Sequence, residues 1–302
     1  MKKVFVTMIS FNNNKATFEC LDSLEKIKKD GFKMIVVVVD NASVDKFVAN
    51  KKYKNFDLEI LRSEENLGFT GGQNLGIKHA LKEGADYIVI LNNDVIVDEG
   101  LIGQLLTAFK QDVGIVAPKI YFAKGYEFHK DRYKDNEKGR VIWYAGGVID
   151  WKNVLGKHRG VDEVDLGQFE EVYEPDTATG CCMMVRKEVF EKTGFLDDKY
   201  FLYYEDADFS LRVKRNGFKI VYQPKAMLWH KNAASAGGSG SPLQDYYITR
   251  NRLVFGYKYA SLRIKIALFR EGLRLMFLGR KWQKKGVFDY FTKNLGKGSY
   301  FS

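Results

Sequence analysis

The sequence predicts an α/β fold built on a mainly parallel sheet. The first 120 residues alternate short apolar runs with stretches of helical periodicity. The runs are continuous, as in "MIVVVVD" (34–40), which is typical of strands that helices cover on both faces. Polar stretches such as "NND" (92–94) follow the runs, and ligands of such sheets bind at the carboxyl ends of the strands. The sequence therefore predicts a ligand site at one sheet edge.

The elements are predicted in chain order. Strands are expected at 3–9, 34–40, 56–62 and 87–94, and helices at 14–29 and 71–84. The charged, Gly-punctuated stretch 119–175 is expected to be an antiparallel insert over the site. A strand and a helix follow at 179–194, and the apolar run that ends in "MLWH" at 230 is a further strand. The small-residue stretch 232–242 is expected to be a mobile loop, and basic helices follow it.

The composition excludes several classes of protein. The chain has 302 residues, of which 45% are hydrophobic, with only 4 Pro and dispersed Gly, so disordered and collagen-like chains are excluded. This length fits one large or two small domains. Three cysteines without metal-binding spacing predict reduced thiols in a cytosolic protein. The N-terminal apolar run is too short for a signal peptide, and no uncharged run approaches a membrane span.

The positive charge is concentrated in the C-terminal tail. Residues 250–302 contain 13 Lys and Arg against 2 Asp and Glu, or +11, whereas residues 1–249 contain 35 against 36, or −1. Five basic residues recur at steps of 7, 4, 7 and 4 and predict one helical stripe beside an apolar face: Arg263, Arg270, Arg274, Lys281 and Lys285. This pattern predicts a helix at an anionic membrane surface. The alternative is a helix packed on the rest of the chain, with a solvated basic edge.

Two motifs in the first half of the chain suit a nucleotide. Asp40 follows a buried strand in "VVDNAS", where its carboxylate could accept from a base N–H or a ribose hydroxyl; the alternative is a helix N-cap. Gly71 and Gly72 open the helix in "NLGFTGGQNLG", and glycine lets the backbone approach an anion at a helix N-terminus. The pattern is neither a dinucleotide-binding G-x-G-x-x-G nor a P-loop, so simple helix packing on glycine is the alternative.

Three further groups suit metal and acid–base chemistry. Asp94 ends "LNND" and could hold a divalent cation together with a diphosphate; the alternative is an Asx turn. Glu205, Asp206 and Asp208 follow an aromatic stretch, and apolar surroundings raise carboxyl pKa values, which suits a general base. The alternative is that these three residues only form the acidic first turn of a helix, where the helix dipole favours them. His230 could pair with Asp94 on a metal, or it could be an ordinary core histidine.

Taken together, these motifs resemble a known family. "VVDNAS", "NLGFTGGQNLG", "ILNNDV", "YYITRNRLVF" and above all the run 179–230 are similar to family 2 inverting glycosyltransferases of the A fold. The resemblance is to the rhamnosyltransferase-like branch, and it covers about residues 3–255. It implies a Rossmann-like nucleotide-diphospho-sugar transferase (A) fold: a mainly parallel sheet, a small antiparallel insert and C-terminal amphipathic helices.

The resemblance also implies roles for individual residues. Asp206 matches the catalytic base, and Glu205 would help to set its pKa. Asp94 and His230 match the ligands of a divalent metal, Mn²⁺ or Mg²⁺. Asn92 stands where the family has the first Asp of its D-x-D-type motif. The other residues expected to contact the donor are Ser10, Asn12, Asp40, Asn41, Gly71, Gly72, Asn93 and, once the 232–242 loop closes, Arg250.

The implied reaction is sugar transfer during the synthesis of a bacterial cell-surface polysaccharide. The donor would be dTDP-rhamnose or a UDP-hexose, and the acceptor a glycan carried on a polyprenyl diphosphate. The catalytic domain would cover 1–255, with a nucleotide-sugar half (1–118) and an acceptor half (119–255), followed by the basic tail (256–302). The protein is expected in the cytoplasm, peripherally attached to the inner face of the cell membrane. The apolar tail could serve a homodimer instead.

Other functions share some of these features. A sugar-phosphate nucleotidyltransferase also binds a nucleotide and a metal in an α/β sheet, but it uses a nucleoside triphosphate. A nucleic-acid-binding protein would place the basic tail on phosphates. That function leaves the acidic residues at the strand ends unexplained, so no nucleic-acid partner is expected. An inactive nucleotide-sugar-binding homologue is disfavoured by the intact Asp94, Asp206 and His230.

Overall fold

The computed structural model describes residues 1–231 and 240–301, so most of the loop predicted at 232–242 lies outside the described residues. The strands are β1 (Lys2–Ser10), β2 (Phe32–Asn41), β3 (Asp57–Ser63), β4 (Tyr87–Leu91), β5 (Val95–Val97), β6 (Val113–Phe122), β7 (Ile142–Tyr144), β8 (Gly147–Asp150), β9 (Leu155–His158), β10 (Cys182–Arg186) and β11 (Lys219–His230). The helices are α1 (Asn14–Leu24), α2 (Gly68–Lys82), α3 (Leu101–Thr107), α4 (Lys187–Thr193), α5 (Glu205–Arg215), α6 (Pro242–Tyr259), α7 (Leu262–Leu278) and α8 (Lys281–Phe291).

Within the described residues, nine strands form one sheet in the order β3-β2-β1-β4-β10-β6-β11-β5, and β7 pairs with β6. β3, β2, β1 and β4 are parallel, and β11 is parallel to β6. β10 runs antiparallel between β4 and β6. The carboxyl ends of β1, β2, β4, β6 and β11 therefore meet at one edge, where β10 begins. The predicted α/β, mainly parallel architecture is confirmed.

The apolar runs form the core because helices cover them on both faces. Val36, Val37, Val38 and Val39 of β2 are all fully buried. Helix α2 packs closely on β1, since a Cβ atom at Gly72 would lie 2.8 Å from the Ile9 Cδ1 atom. Two predicted helix bounds were wrong: α1 ends at residue 24 and not at 29, and α2 begins at residue 68 and not at 71.

The predicted antiparallel insert is present. β7 joins the main sheet, and β8 and β9 form a separate hairpin in which Gly147 lies opposite His158. The buried Lys119 of β6 forms ion pairs with Asp165, at 2.9 Å, and with Glu170. These ion pairs fasten the end of the insert to the sheet.

The C-terminal tail contains two helices after α6, so the single helical stripe predicted over 263–285 was wrong. α7 ends at Leu278, and the chain turns at Gly279, where a Cβ atom would lie 2.5 Å from the Leu275 carbonyl oxygen. α8 then packs along α6. Residue 255, the predicted end of the catalytic domain, lies inside α6, and the domain boundary stays a prediction. Within residues 1–231 and 240–301, no helix is both long and apolar enough to span a bilayer.

One face of α7 is apolar and exposed. We call it the α7 apolar face; its residues are Leu262, Ile266, Phe269, Leu273 and Phe277. Their exposed fractions range from 39% for Leu273 to 75% for Leu262. The opposite side, with Leu268 and Gly272, is buried against the rest of the protein.

Candidate active site

Asp94 and His230 lie side by side at the carboxyl edge of the sheet. Asp94 immediately precedes β5, and β5 pairs antiparallel with the end of β11 so that Val95 lies opposite His230. This register places the Asp94 Oδ1 atom 3.2 Å from the His230 Nε2 atom. Both residues are buried. The contact between them does not have the geometry of a hydrogen bond, so Asp94 Oδ1, like His230 Nδ1, has no hydrogen-bond partner within the described part of the chain.

This pair fits a divalent cation. Buried polar atoms are nearly always paired, so the unpartnered atoms of Asp94 and His230 suit an additional ligand. A carboxylate oxygen and an imidazole nitrogen are ordinary ligands of Mn²⁺, and a carboxylate suits Mg²⁺. Among the described residues, no third His, Cys, Asp or Glu completes a cluster with them. Two protein ligands would leave coordination positions for a substrate diphosphate.

Asp206 lies in the first turn of α5, where two backbone N–H groups fix its carboxylate. Its Oδ2 accepts from Gly180 N at 3.0 Å and its Oδ1 from Ala207 N at 2.7 Å. Burial raises the pKa of Asp206, although these hydrogen bonds act in the opposite direction. The carboxylate is therefore oriented and also more basic than an exposed Asp, which are two properties of a general base.

Glu205 is buried beside Asp206, and its Oε2 atom has no hydrogen-bond partner among the described residues. Burial raises the Glu205 pKa well above its ordinary value, and repulsion from Asp206 raises it further. Two adjacent carboxyl groups in such surroundings do not ionise together readily, so ionisation of one disfavours ionisation of the other. The predicted influence of Glu205 on the Asp206 pKa has a physical basis in this arrangement.

Asp206 and the Asp94–His230 pair are linked at one edge of the sheet through the segment that precedes β10. Asn92 N, two residues before Asp94, donates to the Cys181 carbonyl at 2.8 Å, and Gly180 next to it donates to Asp206. Burial raises the pKa of the Cys181 thiol, and the charges of Asp94 and Asp206 raise it further. Cys181 thus lies close to both carboxylates, and nothing in the sequence pattern marks this position.

Asp208 is separate from the other two acidic residues of its cluster. Its carboxylate accepts from Arg212 Nε at 2.7 Å, Lys258 Nζ at 2.6 Å and the Tyr259 hydroxyl at 2.8 Å. Burial alone would raise the Asp208 pKa, but these partners hold it below its ordinary value. Asp208 is therefore an ion-pair anchor between α5 and α6.

Asp40 is buried and its carboxylate is already engaged. It accepts from Ser43 N at 3.0 Å and Phe47 N at 3.1 Å, and it pairs with Arg62. Burial acts to raise the Asp40 pKa, but these hydrogen bonds keep it below its ordinary value. In this structure Asp40 orders the loop after β2, and its contact with a nucleotide base stays a prediction.

Hydrogen bonds connect residues at the ends of β1 and β4 that are predicted to contact the nucleotide sugar. Asn93 Nδ2 donates to Thr17 Oγ1 at 2.9 Å, and Thr17 Oγ1 donates to Ser10 Oγ at 3.0 Å. Asn12 is exposed next to them, and its Oδ1 accepts from Val44 N at 2.8 Å. The structure therefore brings Ser10, Asn12 and Asn93 to the same edge as Asp94.

Asn41, Gly71 and Gly72, which were predicted to contact the nucleotide sugar, make contacts within the protein itself. Asn41 Oδ1 accepts from Leu67 N at 2.9 Å, and its Nδ2 donates to the Gly68 carbonyl at 3.0 Å, so Asn41 holds the loop that begins α2. Gly71 and Gly72 lie inside the first turns of α2 and do not open the helix as predicted. Gly72 packs against β1, which matches the alternative of helix packing; a ligand contact by either glycine stays a prediction.

Arg250 is fully buried in α6 and is engaged away from the strand ends. Its described hydrogen-bond partners are the carbonyls of Lys199 and Tyr200, the Asn251 side chain and the Tyr246 hydroxyl. The structure therefore does not bring Arg250 together with Asp94 and His230. Its contact with a diphosphate stays a prediction that would need a change in this packing.

The insert contributes two aromatic side chains that sequence analysis missed. The Trp143 ring lies edge-on against His230, with 4.7 Å between centroids, and against His158, with 4.3 Å. His158 Nδ1 lies 3.1 Å from the Trp143 carbonyl oxygen. Burial, followed by the charge of His230, lowers the His158 pKa to about 4, so His158 is neutral near pH 7. The aromatic stretch "IWYAGG" (142–147) was the only signal for this wall of the site.

Residues 5–194 match the family model described as Glycosyl transferase family 2. The chain belongs to this family. It is 27% identical over 220 residues to the low-salt glycan biosynthesis hexosyltransferase Agl10 of Haloferax volcanii, covering 72% of this chain and 66% of that protein. It is 28% identical over 220 residues to the N-acetylglucosaminyl-diphospho-decaprenol L-rhamnosyltransferase of Mycobacterium tuberculosis, covering 67% of this chain and 68% of that protein. Two longer relatives are matched by this chain over only 16% and 22% of their own length.

The fold also matches solved glycosyltransferases of the A fold. The mannosyltransferase PcManGT from Pyrobaculum calidifontis, in complex with GDP-Man and Mn²⁺, superposes with a TM-score of 0.55 at 12% identity. The alignment covers 96% of this chain and 74% of PcManGT. At this level of identity the likeness establishes the fold alone. The family 2 membership, the A fold and the similarity to rhamnosyltransferases that the sequence predicted are confirmed.

Proposed function

We propose that this protein is an inverting, metal-dependent glycosyltransferase that moves a hexosyl group from a nucleotide sugar to a glycan acceptor. The observation that carries the proposal is that an oriented, half-buried Asp206 lies at the same sheet edge as the Asp94–His230 pair. A base and a site for an anionic leaving group are the two parts that a single displacement requires. Membership of family 2 supports the same reaction class.

Asp206 would act as the general base. The acceptor hydroxyl oxygen attacks the anomeric carbon, and its proton passes to an Asp206 carboxylate oxygen. The bond between the anomeric carbon and the diphosphate oxygen breaks, and the nucleoside diphosphate leaves with the electron pair. One displacement inverts the configuration and needs no nucleophile on the protein. The hydrogen bonds from Gly180 and Ala207 keep the carboxylate in one orientation for this transfer.

Asp94 and His230 would hold the divalent cation, Mn²⁺ or Mg²⁺. When bound, such a cation neutralises charge on the departing diphosphate. The burial of both side chains makes their interaction with a charged group stronger than it would be in water. Ser10, Asn12, Asn92 and Asn93 surround the same edge, and they would contact the nucleotide or the sugar.

The donor and the acceptor are proposed from the relatives. Curated relatives include a dTDP-rhamnosyl transferase and a rhamnosyltransferase whose name specifies an N-acetylglucosaminyl-diphospho-decaprenol. We therefore place dTDP-rhamnose first among the donors, ahead of UDP-hexoses. A glycan carried on a polyprenyl diphosphate is the proposed acceptor, and its product would enter a cell-surface polysaccharide.

The α7 apolar face would bring the protein to this lipid-linked acceptor. Phe269 and Phe277 are 44% and 71% exposed, and Arg263, Arg270 and Arg274 on the same helix are exposed too. Apolar rings flanked by cations fit the interface of an anionic membrane. This arrangement supports the proposal that the protein attaches peripherally to the inner face of the cell membrane; a homodimer through the same face is the alternative.

The test is a thermal-shift screen of nucleotides and nucleotide sugars, each with and without Mn²⁺ or Mg²⁺. Ligands that bind only the folded state raise the melting temperature. We expect a metal-dependent rise with one nucleoside diphosphate, which identifies the base of the donor. Asp94→Ala is expected to lose the rise, and Asp57→Ala, a control at the exposed start of β3, to keep it. No shift with any nucleotide would reject the proposed function.

A further inference from the structure

The backbone that leads into the catalytic pair is strained. Phe201, Tyr203 and Tyr204 have φ angles of +63°, +68° and +73°, a left-handed region that residues with a Cβ atom seldom occupy. Glu205 and Asp206 follow directly as the first residues of α5. The direction in which both carboxylates enter the site therefore depends on how this segment is held.

Asn251 of α6 holds the segment through its side-chain amide. The Nδ2 group donates to the carbonyls of Tyr200 at 2.9 Å, Leu202 at 2.7 Å and Tyr203 at 2.9 Å. Asn251 is fully buried, so water does not compete for these bonds. The two N–H groups of this amide are thus shared among three carbonyl groups within four residues of the chain.

Arg250 completes this clamp from the same helix. Its Nη2 group donates to the Tyr200 carbonyl at 3.0 Å and lies 3.3 Å from the Lys199 carbonyl, and its Nε group donates to Asn251 Oδ1 at 3.0 Å. The last bond orients the Asn251 amide, so that its NH₂ group faces the segment. Strained backbone persists only where the surroundings over-determine it, and these bonds supply that constraint.

The C-terminal residues cover the clamp. Gly296 N donates to the Lys199 carbonyl at 2.8 Å, and the Phe301 ring packs against Phe201. Ser299 N donates to the Tyr246 hydroxyl at 2.9 Å, which in turn accepts from Arg250. The chain after α8 therefore encloses the clamp and the start of the strained segment.

We propose that Asn251 and Arg250 are positioning residues that hold the strained segment and thereby aim the Asp206 carboxylate. This inference rests on the proposed role of Asp206 as the base. It assigns Arg250 to the base rather than to the donor diphosphate. Misplacement of a catalytic group by about 1 Å can reduce a rate by about 10²-fold, so the clamp matters for turnover even though it touches no substrate.

The test uses Asn251→Asp, which keeps the shape of the side chain and removes the NH₂ donors. We expect kcat to fall by about 10²-fold, while the Kd for the nucleoside diphosphate, measured by calorimetry, stays unchanged. Amide hydrogen exchange within 199–204 should become faster. Asn55→Asp is the control, because Asn55 Nδ2 also donates to a backbone carbonyl, that of Glu25, away from the site.

Arg250→Lys is the second variant, and it keeps the test valid if Asn251→Asp does not fold. A lysine keeps the charge but cannot make the forked contacts of the guanidinium. We expect a lower kcat with an unchanged nucleotide Kd. A weaker nucleotide Kd with an unchanged kcat would overturn the inference and return Arg250 to the donor site. Normal kcat and normal exchange in Asn251→Asp would also overturn it. Lack of transfer by the parent protein would reject the proposed function instead, and the exchange measurement would still test the clamp.

Discussion

The His230 Nε2 atom lies 3.2 Å from the Asp94 Oδ1 atom, although the two residues are far apart in the sequence. Asp94 precedes β5, His230 ends β11, and these strands pair with each other at the outer side of the sheet. A further backbone hydrogen bond joins the two segments, since Lys231 N donates to the Asp94 carbonyl at 2.9 Å. The geometry of the site is therefore set by strand pairing and not by a mobile loop.

Replacing His230 with Ala is expected to weaken metal-dependent nucleotide binding. The substitution leaves Asp94 as the single protein ligand of the pair. A ligand present at 100 times its Kd stabilises a protein by about 2.7 kcal/mol, so the loss is measurable as a smaller rise in melting temperature with Mn²⁺. His79→Ala serves as a control, because His79 pairs with Glu59 away from the site. A full Mn²⁺-dependent rise in His230→Ala would remove His230 from the metal site.

Asp206→Asn is expected to lower kcat by about 10²–10⁴-fold, because the amide cannot take the proton of the acceptor hydroxyl. Nucleotide binding should be retained, since Asp206 is not one of the proposed metal ligands. Initial rates and calorimetry measure the two quantities. In the parent protein, kcat/KM should fall as the pH decreases through the Asp206 pKa, which burial raises, so this fall begins at a higher pH than for an exposed Asp. Turnover at the parental rate would rule out Asp206 as the base.

Glu205→Gln is expected to stabilise the protein at pH 8 more than at pH 5. Burial raises the pKa of Glu205 in the folded state, so the folded state favours the protonated form. That contribution to stability is complete below the unfolded pKa, about 4.3, and is lost as the pH rises through the folded pKa. Glutamine does not ionise, so the advantage of the variant grows with pH. Urea denaturation at both pH values measures the difference; the exposed Glu188→Gln should show no such trend.

Serine at both Phe269 and Phe277 is expected to weaken binding to vesicles of anionic lipid. Full burial of an apolar side chain is worth about 1.5–3 kcal/mol, so each ring should change the affinity by about tenfold or more. Leu166→Ser is the matched control, because Leu166 is 83% exposed on the insert. Cosedimentation with vesicles measures binding, and sedimentation velocity measures mass. Unchanged vesicle binding together with a lower mass for the double variant would assign the face to a dimer.

The main strands of the sheet could be predicted because their apolar runs are unbroken, as in β2. β6 was missed as a separate strand because its sequence contains Pro118 and Lys119. Lys119 is buried only because Asp165 and Glu170, far along the chain, supply its counter-charges. The break between α7 and α8 was missed since the basic spacing continues through Gly279. Such long-range pairing and close backbone contacts leave little trace in local periodicity.

The structure brings the predicted metal pair and base to one edge, whereas other candidates are engaged elsewhere. Strand-end position located Asp94 and His230, because the topology of a parallel sheet gathers such ends, whereas the acidic cluster after an aromatic stretch located Asp206. No such positional signal was available for Arg250. A sequence does not distinguish a buried structural arginine from one that binds an anion. His158 was missed for a similar reason, because only the β8–β9 hairpin places it beside Trp143.

The pairing of β5 with β11 has a consequence for the way the protein is made. β5 has β11 as its only neighbour in the described sheet, so this edge cannot form until the last strand of the sheet has been synthesised. A nascent chain that has emerged only as far as α4 carries Asp94 but not His230 or Asp206. Contacts between such distant segments form late and slow folding. A partly translated chain therefore lacks the Asp94–His230 pair until translation passes β11, and the contacts of Asn251 with the segment before Asp206 form only later, once α6 has been made.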